Sequence, residues 1–379
     1  MSEIPLSLYL HFPWCIKKCP YCDFNSHALR ADLPEAEYLG ALQRDLELEL
    51  RQSGDREIQS VFFGGGTPSL MSASTVESII EQLSDSGRLP ADAEITLEAN
   101  PGAADASRFR GYRSAGVNRL SIGVQSLNDR SLRQLGRIHD ARQGRSAVDA
   151  ARRAGFDNLN IDLMFGLPGQ SLREGCADID AVLKLAPSHI SYYQLTIEPN
   201  TGFSHAPPEL PDEELIERIH EYGLERLRES AFFRYEVSAF ATSGHRCLHN
   251  LNYWSFGDYL GVGPGAHGKL TGEDGILRYA KPRHPKQYLA CAESFRQNEK
   301  SIAKESLAFE FMLNALRLRD GFLTSDFESR TGLAAQVLEP VLSDMVEQRL
   351  LKHSAGRIRA TDNGYLYLND VIAQFLPDD

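Results

Sequence analysis

The feature that most limits how this chain can fold is an alternation. Six short apolar, β-rich runs recur: Leu6–Phe12, Ser60–Phe63, Glu94–Glu98, Arg119–Val124, Asn158–Phe165 and His189–Ile197. Amphipathic stretches lie between them. Pro34–Gln52 puts Leu39, Leu42, Leu46 and Leu50 at helical spacing with charges opposite. Ser74–Leu83 and Gln143–Ala154 read alike, and Ser74 with Glu77 three residues on forms a capping-box signature. Several of the runs are apolar on both faces, as strands of a buried parallel sheet are. Strand–helix alternation feeds right-handed crossovers, so an α/β domain is expected. Periodicity leaves two architectures open: a doubly wound sheet, or an incomplete barrel of six units, short of a closed eight.

Directly after the first run comes Cys15-Ile16-Lys17-Lys18-Cys19-Pro20-Tyr21-Cys22. Spacings of three residues and then two let one loop wrap a single metal centre. Three thiolates on a four-iron cluster leave one iron without a protein ligand, whereas structural clusters take four cysteines. Such an iron is open to a small molecule. Zinc is the competing reading. It takes four N or S ligands. Cys176, Cys247 and Cys291 supply no second pair, so His11 or His27 would have to complete the site. A disulfide framework is disfavoured in a long chain with six cysteines and no leader-like segment.

Gly64-Gly65-Gly66-Thr67-Pro68 follows the second run. Glycine lets backbone approach a ligand closely, but no Lys-Ser/Thr completes a phosphate loop. The alternative is a tight turn between strand and helix. Glu98 and Gln125 end the third and fourth runs, and Asp162 lies inside the fifth. Barrel active sites gather at such strand ends, and a buried carboxylate must be paired. Each alone reads as a satisfied core group or helix cap; together they read as one pocket.

Cys15, Cys19 and Cys22, with Tyr21 before the last cysteine, resemble the cluster loop of radical S-adenosylmethionine (SAM) proteins. Nearly the whole chain is similar to the group that contains oxygen-independent coproporphyrinogen III oxidases and HemW-type haem chaperones. The resemblance favours the partial (β/α)6 barrel. It implies a 4Fe–4S cluster on the three cysteines and SAM chelating the open iron. It further implies SAM contacts at Tyr9, Tyr21, Gly65, Gly66, Thr67, Glu98, Gln125, Arg137 and Asp162. A carboxylate would suit the ribose hydroxyls and Arg137 the SAM carboxylate. Gly166-Leu167-Pro168-Gly169 also matches the family, as a turn beside the pocket.

His249-Asn250-Leu251-Asn252-Tyr253-Trp254 resembles the HNxxYW motif of the haem chaperones. Histidine is a common haem ligand, so His249, Asn250, Tyr253 and Trp254 are the implied haem residues. His267, in the glycine-rich stretch that follows, is a second ligand candidate. The oxidases carry a further cysteine two residues after the last cluster cysteine and extend well upstream of the cluster. Here that position is Phe24, and fourteen residues precede Cys15. Both departures favour the haem-handling branch.

Three regions are expected: residues 1–240 as the barrel, 241–303 as an irregular connecting region carrying the HNxxYW stretch, and 304–379 as a small winged-helix-like domain. In the last, Leu307–Leu316 and Ala335–Gln348 read as helices, before a hairpin of Leu350–His353 and Arg357–Ala360. The net charge of −12 argues against general nucleic-acid binding. No apolar run approaches the roughly 20 residues of a membrane span. Reduced thiols beside an oxygen-sensitive centre fit the cytoplasm.

The expected function is a haem chaperone that binds a 4Fe–4S cluster, SAM and haem. It would deliver haem to a haem-requiring membrane respiratory protein, staying cytoplasmic or peripheral to the membrane through that recipient; a homodimer is compatible. The runner-up is oxygen-independent coproporphyrinogen III oxidase, and a third reading is a zinc-stabilised interaction platform.

Overall fold

The computed structural model describes residues 4–102 and 106–377. Its centre is a 12-stranded open sheet. Six strands match the six runs: β1 Leu6–Phe12, β2 Ile58–Gly65, β3 Glu94–Ala99, β4 Arg119–Gln125, β5 Asn158–Phe165 and β6 His189–Gln194. Each pairs in parallel with the next. Beyond them come β7 Phe233–Arg234, β8 Ala239–Ala241, β9 Asp258–Val262, β10 His267–Gly272, β11 Gly275–Ala280 and β12 Gln297–Ser301. The order across the sheet is β12-β11-β10-β9-β1-β2-β3-β4-β5-β6-β8-β7.

Two points differ from the sequence expectation. The 241–303 stretch is not irregular. It adds β9 parallel to β1 on the side away from β2, then an antiparallel extension through β10, β11 and β12. The central strands are also not apolar on both faces. Leu8, Val61, Leu97, Leu120 and Leu159 face the helices and build the main core. The register aligns Glu98 with Ser121, Ser121 with Asn160 and Asn160 with His189 on the opposite face. Glu98 and Ser121 on that inner face line a cavity, while the buried Asn160 and His189 are hydrogen-bonded to each other at 2.6 Å.

The outer helices form where the periodicity placed them. Helix Glu35–Gln52 buries Tyr38, Leu42 and Leu46, and also Asp45 and Glu49. These two carboxylates face the buried Lys281, whose Nζ lies 2.5 Å from Asp45 Oδ1 and 2.6 Å from Glu49 Oε1. Arg296 adds a second cation, 2.6 Å from Glu49. Buried charges persist only when paired in this way, and here the pairs tie β11 and the segment before β12 to the first helix. Ser72, not Ser74, caps helix Ala73–Asp85, accepting from Thr75 N–H. Capping boxes form instead at Asp140 with Gln143, opening helix Ala141–Arg153, and at Ser171 with Glu174, opening helix Leu172–Lys184.

The C-terminal region has its own core, with Phe311, Phe322, Phe327, Met345, Ile358 and Val371 buried together. Helix Leu307–Ala315 precedes a three-stranded sheet of β13 Phe322–Leu323, β14 Leu351–Ser354 and β15 Arg357–Ala360, in the order β13-β15-β14. The expected long helix over Ala335–Gln348 is broken into Ala335–Leu338 and Val341–Glu347. Pro340, which has no N–H to donate, stands at the break.

Candidate functional site

The cysteine loop leaves the C-terminal end of β1. Trp14–Cys15 pairs with His27–Ala28 and staples the base of the loop. Gly66 N–H donates to Phe12 O (2.6 Å) and Thr67 N–H to Trp14 O (2.8 Å), binding that base to the end of β2. A Cβ on Gly66 would meet Trp14 O at 2.5 Å, and Gly65 has φ +111°. These glycines are therefore required by the loop packing against β2, a constraint separate from the ligand approach read from sequence.

The three thiols are free and half-buried. With Tyr21, Gly65, Gly66, Thr67, Glu98, Gln125, Arg137 and Asp162 they line one cavity of about 400 Å3, within the range of small-molecule sites. Tyr9 is the exception among the expected SAM residues. Its ring stacks on Phe62 at 6.2 Å, and its hydroxyl lies 3.0 Å from His11 Nδ1, below the cavity wall. Asn100, Ser121 and Tyr193 line the cavity without having been singled out from sequence.

Hydrogen bonds fix the polar lining. Arg137 donates to Asn100 Oδ1 (2.5 Å) and Gly123 O (2.6 Å), and its Nη1 lies 3.8 Å from Cys19 Sγ. Arg137 Nε is buried and unpartnered, leaving one donor for a ligand. Asn100 donates to Thr67 Oγ1 at 3.0 Å. Tyr193 donates to Gln125 Oε1 at 2.8 Å, and Gln125 holds φ 67° at the strand end. Glu98 Oε2 accepts from Gly65 N–H at 3.1 Å. Burial, reinforced by Asp162, pushes the Glu98 carboxyl up to about 8. Burial also raises Asp162, against the pull of its hydrogen bonds to Asn160 and Ser191. Neutral Glu98 beside Asp162 spares the cavity a pair of like charges.

The HNxxYW stretch forms helix Leu248–Trp254. Its first turn rests on Glu94, whose Oε1 accepts from Leu248 N–H (2.9 Å) and His249 N–H (3.3 Å). Glu94 begins β3, so this helix closes the floor of the barrel, opposite the cysteine loop. His249 stacks on Phe62 at 4.9 Å. Burial, with Arg119 nearby, pushes its imidazole down to about 3. Tyr253 is 40% exposed and packs on Tyr259, while Trp254 lies under Arg317. Asn250 is half-buried on the same helix. The helix thus turns His249 into the barrel and the two aromatics elsewhere. His267 is exposed at the start of β10.

Residues 9–186 match the model of the Radical SAM superfamily, and residues 302–367 that of the HemN C-terminal domain. The fold is similar to that of Escherichia coli coproporphyrinogen III oxidase (HemN), a radical SAM enzyme. The TM-score is 0.83 at 23% identity, over 98% of this chain and 90% of that one. Strand order, cysteine loop and these matches define a radical SAM protein. Over 99% of both chains it is 45% identical to a Haemophilus influenzae protein named heme chaperone HemW, and 44% identical to its Escherichia coli counterpart. The chain belongs to the HemW family.

The radical SAM family binds a 4Fe–4S cluster and SAM, and the residues present fit both. Three free thiols open onto one cavity that Arg137 also lines. Among the described residues no three His, Cys, Asp or Glu side chains close on a single-ion site. Among the same residues no helix is long and apolar enough to cross a membrane.

Proposed function

We propose that the chain is a haem chaperone, holding haem and passing it to a haem-requiring membrane respiratory protein. The observation that carries this reading is relatedness over 99% of both chains to proteins named heme chaperone HemW. In it, Cys15, Cys19 and Cys22 hold the cluster. Tyr21, Gly65, Gly66, Thr67, Glu98, Gln125, Arg137 and Asp162 surround SAM, with Tyr9 supporting that wall from below. His249, Asn250, Tyr253 and Trp254 form the haem-handling stretch. A cytoplasmic site and a homodimer belong to the same reading.

When bound, the cluster would supply a low-potential electron and SAM the sulfonium able to accept it. The chain's own residues prepare the ground for it. Arg137, braced by Asn100 and Gly123, would hold the SAM carboxylate with its guanidinium. Glu98, protonated at neutral pH, has a proton to donate to a ribose hydroxyl. Phe24 stands where the oxidases keep a cysteine on which their activity depends.

The deciding experiment is anaerobic reconstitution with iron and sulfide, then a haem titration and a coproporphyrinogen assay on one sample. Stoichiometric haem binding without decarboxylation is expected. Decarboxylation would overturn the chaperone reading in favour of an oxidase.

A further inference from the structure

The cavity mouth carries features that neither the cluster nor SAM explains. Phe24 is 58% exposed, Ile16 50% and Ile138 52%. Phe24 lines the main cavity with Lys17 and Lys18. Ile16 and Ile138 line a small adjoining pocket that shares Lys17, Cys19 and Arg137 with it. The three apolar side chains and two lysines therefore form one rim around the cysteine loop. Lys18 Nζ donates to Phe24 O at 3.0 Å, fixing the aromatic residue at the edge. Large apolar groups left clustered at a cavity mouth mark a binding surface.

Resting on the haem-chaperone reading, we propose that this rim is a docking surface for one face of haem, separate from the HNxxYW helix. Three points favour this occupant. A flat macrocycle offers the apolar face that Phe24, Ile16 and Ile138 lack, and aromatic stacking adds to area burial. Haem also carries two carboxylates. In a chain of net charge −12, Lys17, Lys18 and Arg137 face Asp23, Glu198, Glu98 and Asp162 in the same lining, and burial raises the last two carboxyls toward their neutral forms, so the two lysines at the mouth meet a dianion with Asp23 and Glu198 as the opposing charges. Finally, His249 lies on the barrel floor beneath Phe62, at the opposite ends of the strands from the cysteines. Haem held there is screened from the cluster by the barrel, whereas haem on the rim lies directly over it. The rim is where cluster state and haem release can influence each other.

The test uses the full chain, reconstituted anaerobically with cluster and SAM, and titrated with ferric haem by its Soret band. Phe24→Glu, and separately the pair Ile16→Glu and Ile138→Glu, should raise the haem Kd about tenfold or more, one buried aromatic or aliphatic pair being worth at least such a step. Iron, sulfide and SAM affinity should stay at parent levels. Lys17→Glu with Lys18→Glu should weaken haem binding most at low salt. His249→Ala alone should leave rim binding measurable. Parent-like haem affinity in all rim variants, with loss only in His249→Ala, would overturn the proposal. So would a changed oligomeric mass with unchanged haem affinity, which would make the rim a self-association face. If the parent chain itself binds no haem, the chaperone reading fails, and this proposal with it.

Discussion

Glu98→Gln offers a direct reading of the cavity's electrostatics. In the folded chain the Glu98 carboxyl titrates at about 8 against an ordinary 4.5, chiefly through burial. A raised folded value favours the protonated form. The stability it gives is complete below about pH 4.5 and is lost as pH rises through about 8. At about 1.4 kcal/mol per unit, the full loss is on the order of 5 kcal/mol. Glu98 borders an open cavity, whose water screens the charge, so roughly 2 kcal/mol between about pH 5 and pH 8 is the working figure. Glutamine keeps the oxygen that accepts from Gly65 N–H but cannot ionise. The cluster-free variant should therefore lose that much less stability than the parent over this interval. Asp162, also raised, leaves a residual slope. Urea melts at both pH values check this. Trp14, packed against Phe12 and Tyr38 at the base of the cysteine loop, reports the barrel by fluorescence. An identical pH slope in parent and variant would refute the burial argument.

Other perturbations address separate parts of the molecule. Cys19→Ala should abolish cluster assembly; unchanged iron and sulfide content would remove the cluster assignment. Gly66→Val should lose both cluster retention and SAM affinity, because its side chain would collide with Trp14 O, 2.5 Å from the ideal Cβ. Parent-like iron content in that variant would show that the loop base yields. Lys281→Met leaves Asp45 buried without its cation, although Tyr288 still donates to it at 2.7 Å. A loss of about 3 kcal/mol is expected at neutral pH, shrinking in acid as Asp45 takes up a proton; a pH-independent loss would point to packing alone.

The six strands were legible in the sequence because each is a compact apolar run between helical stretches. The chemistry was legible because three cysteines in one loop are rare outside metal centres. What escaped reading had physical reasons. Strands β9 to β12 are rich in Gly, Lys, Arg and Tyr, and antiparallel hairpins of that composition resemble loops. Asn100 and Tyr193 face the cavity through strand register, a property invisible until Glu98 pairs with Ser121 and Met164 with Tyr193. Tyr9 shares the inner face but sits lower, where the register carries it onto Phe62. His249 reads as a free ligand in sequence, yet its helix is anchored by Glu94, more than a hundred residues away.

The pairing of β9 with β1 has a consequence for biogenesis. Until Asp258–Val262 has been synthesised, β1 is an open edge, with unpaired backbone groups on the side away from β2. Asn25, just past the cysteines, likewise waits for Pro264 O and Arg283 O, both 2.9 Å away in the finished chain. The segment that will carry the metal centre is therefore made first and ordered late. A nascent chain has its thiols available while their frame is still incomplete, so iron and sulfide are best inserted after synthesis has passed Arg283. A chain truncated before Asp258 should take up little cluster and be cut readily by protease near Cys15; full loading of that truncation would contradict this order of events.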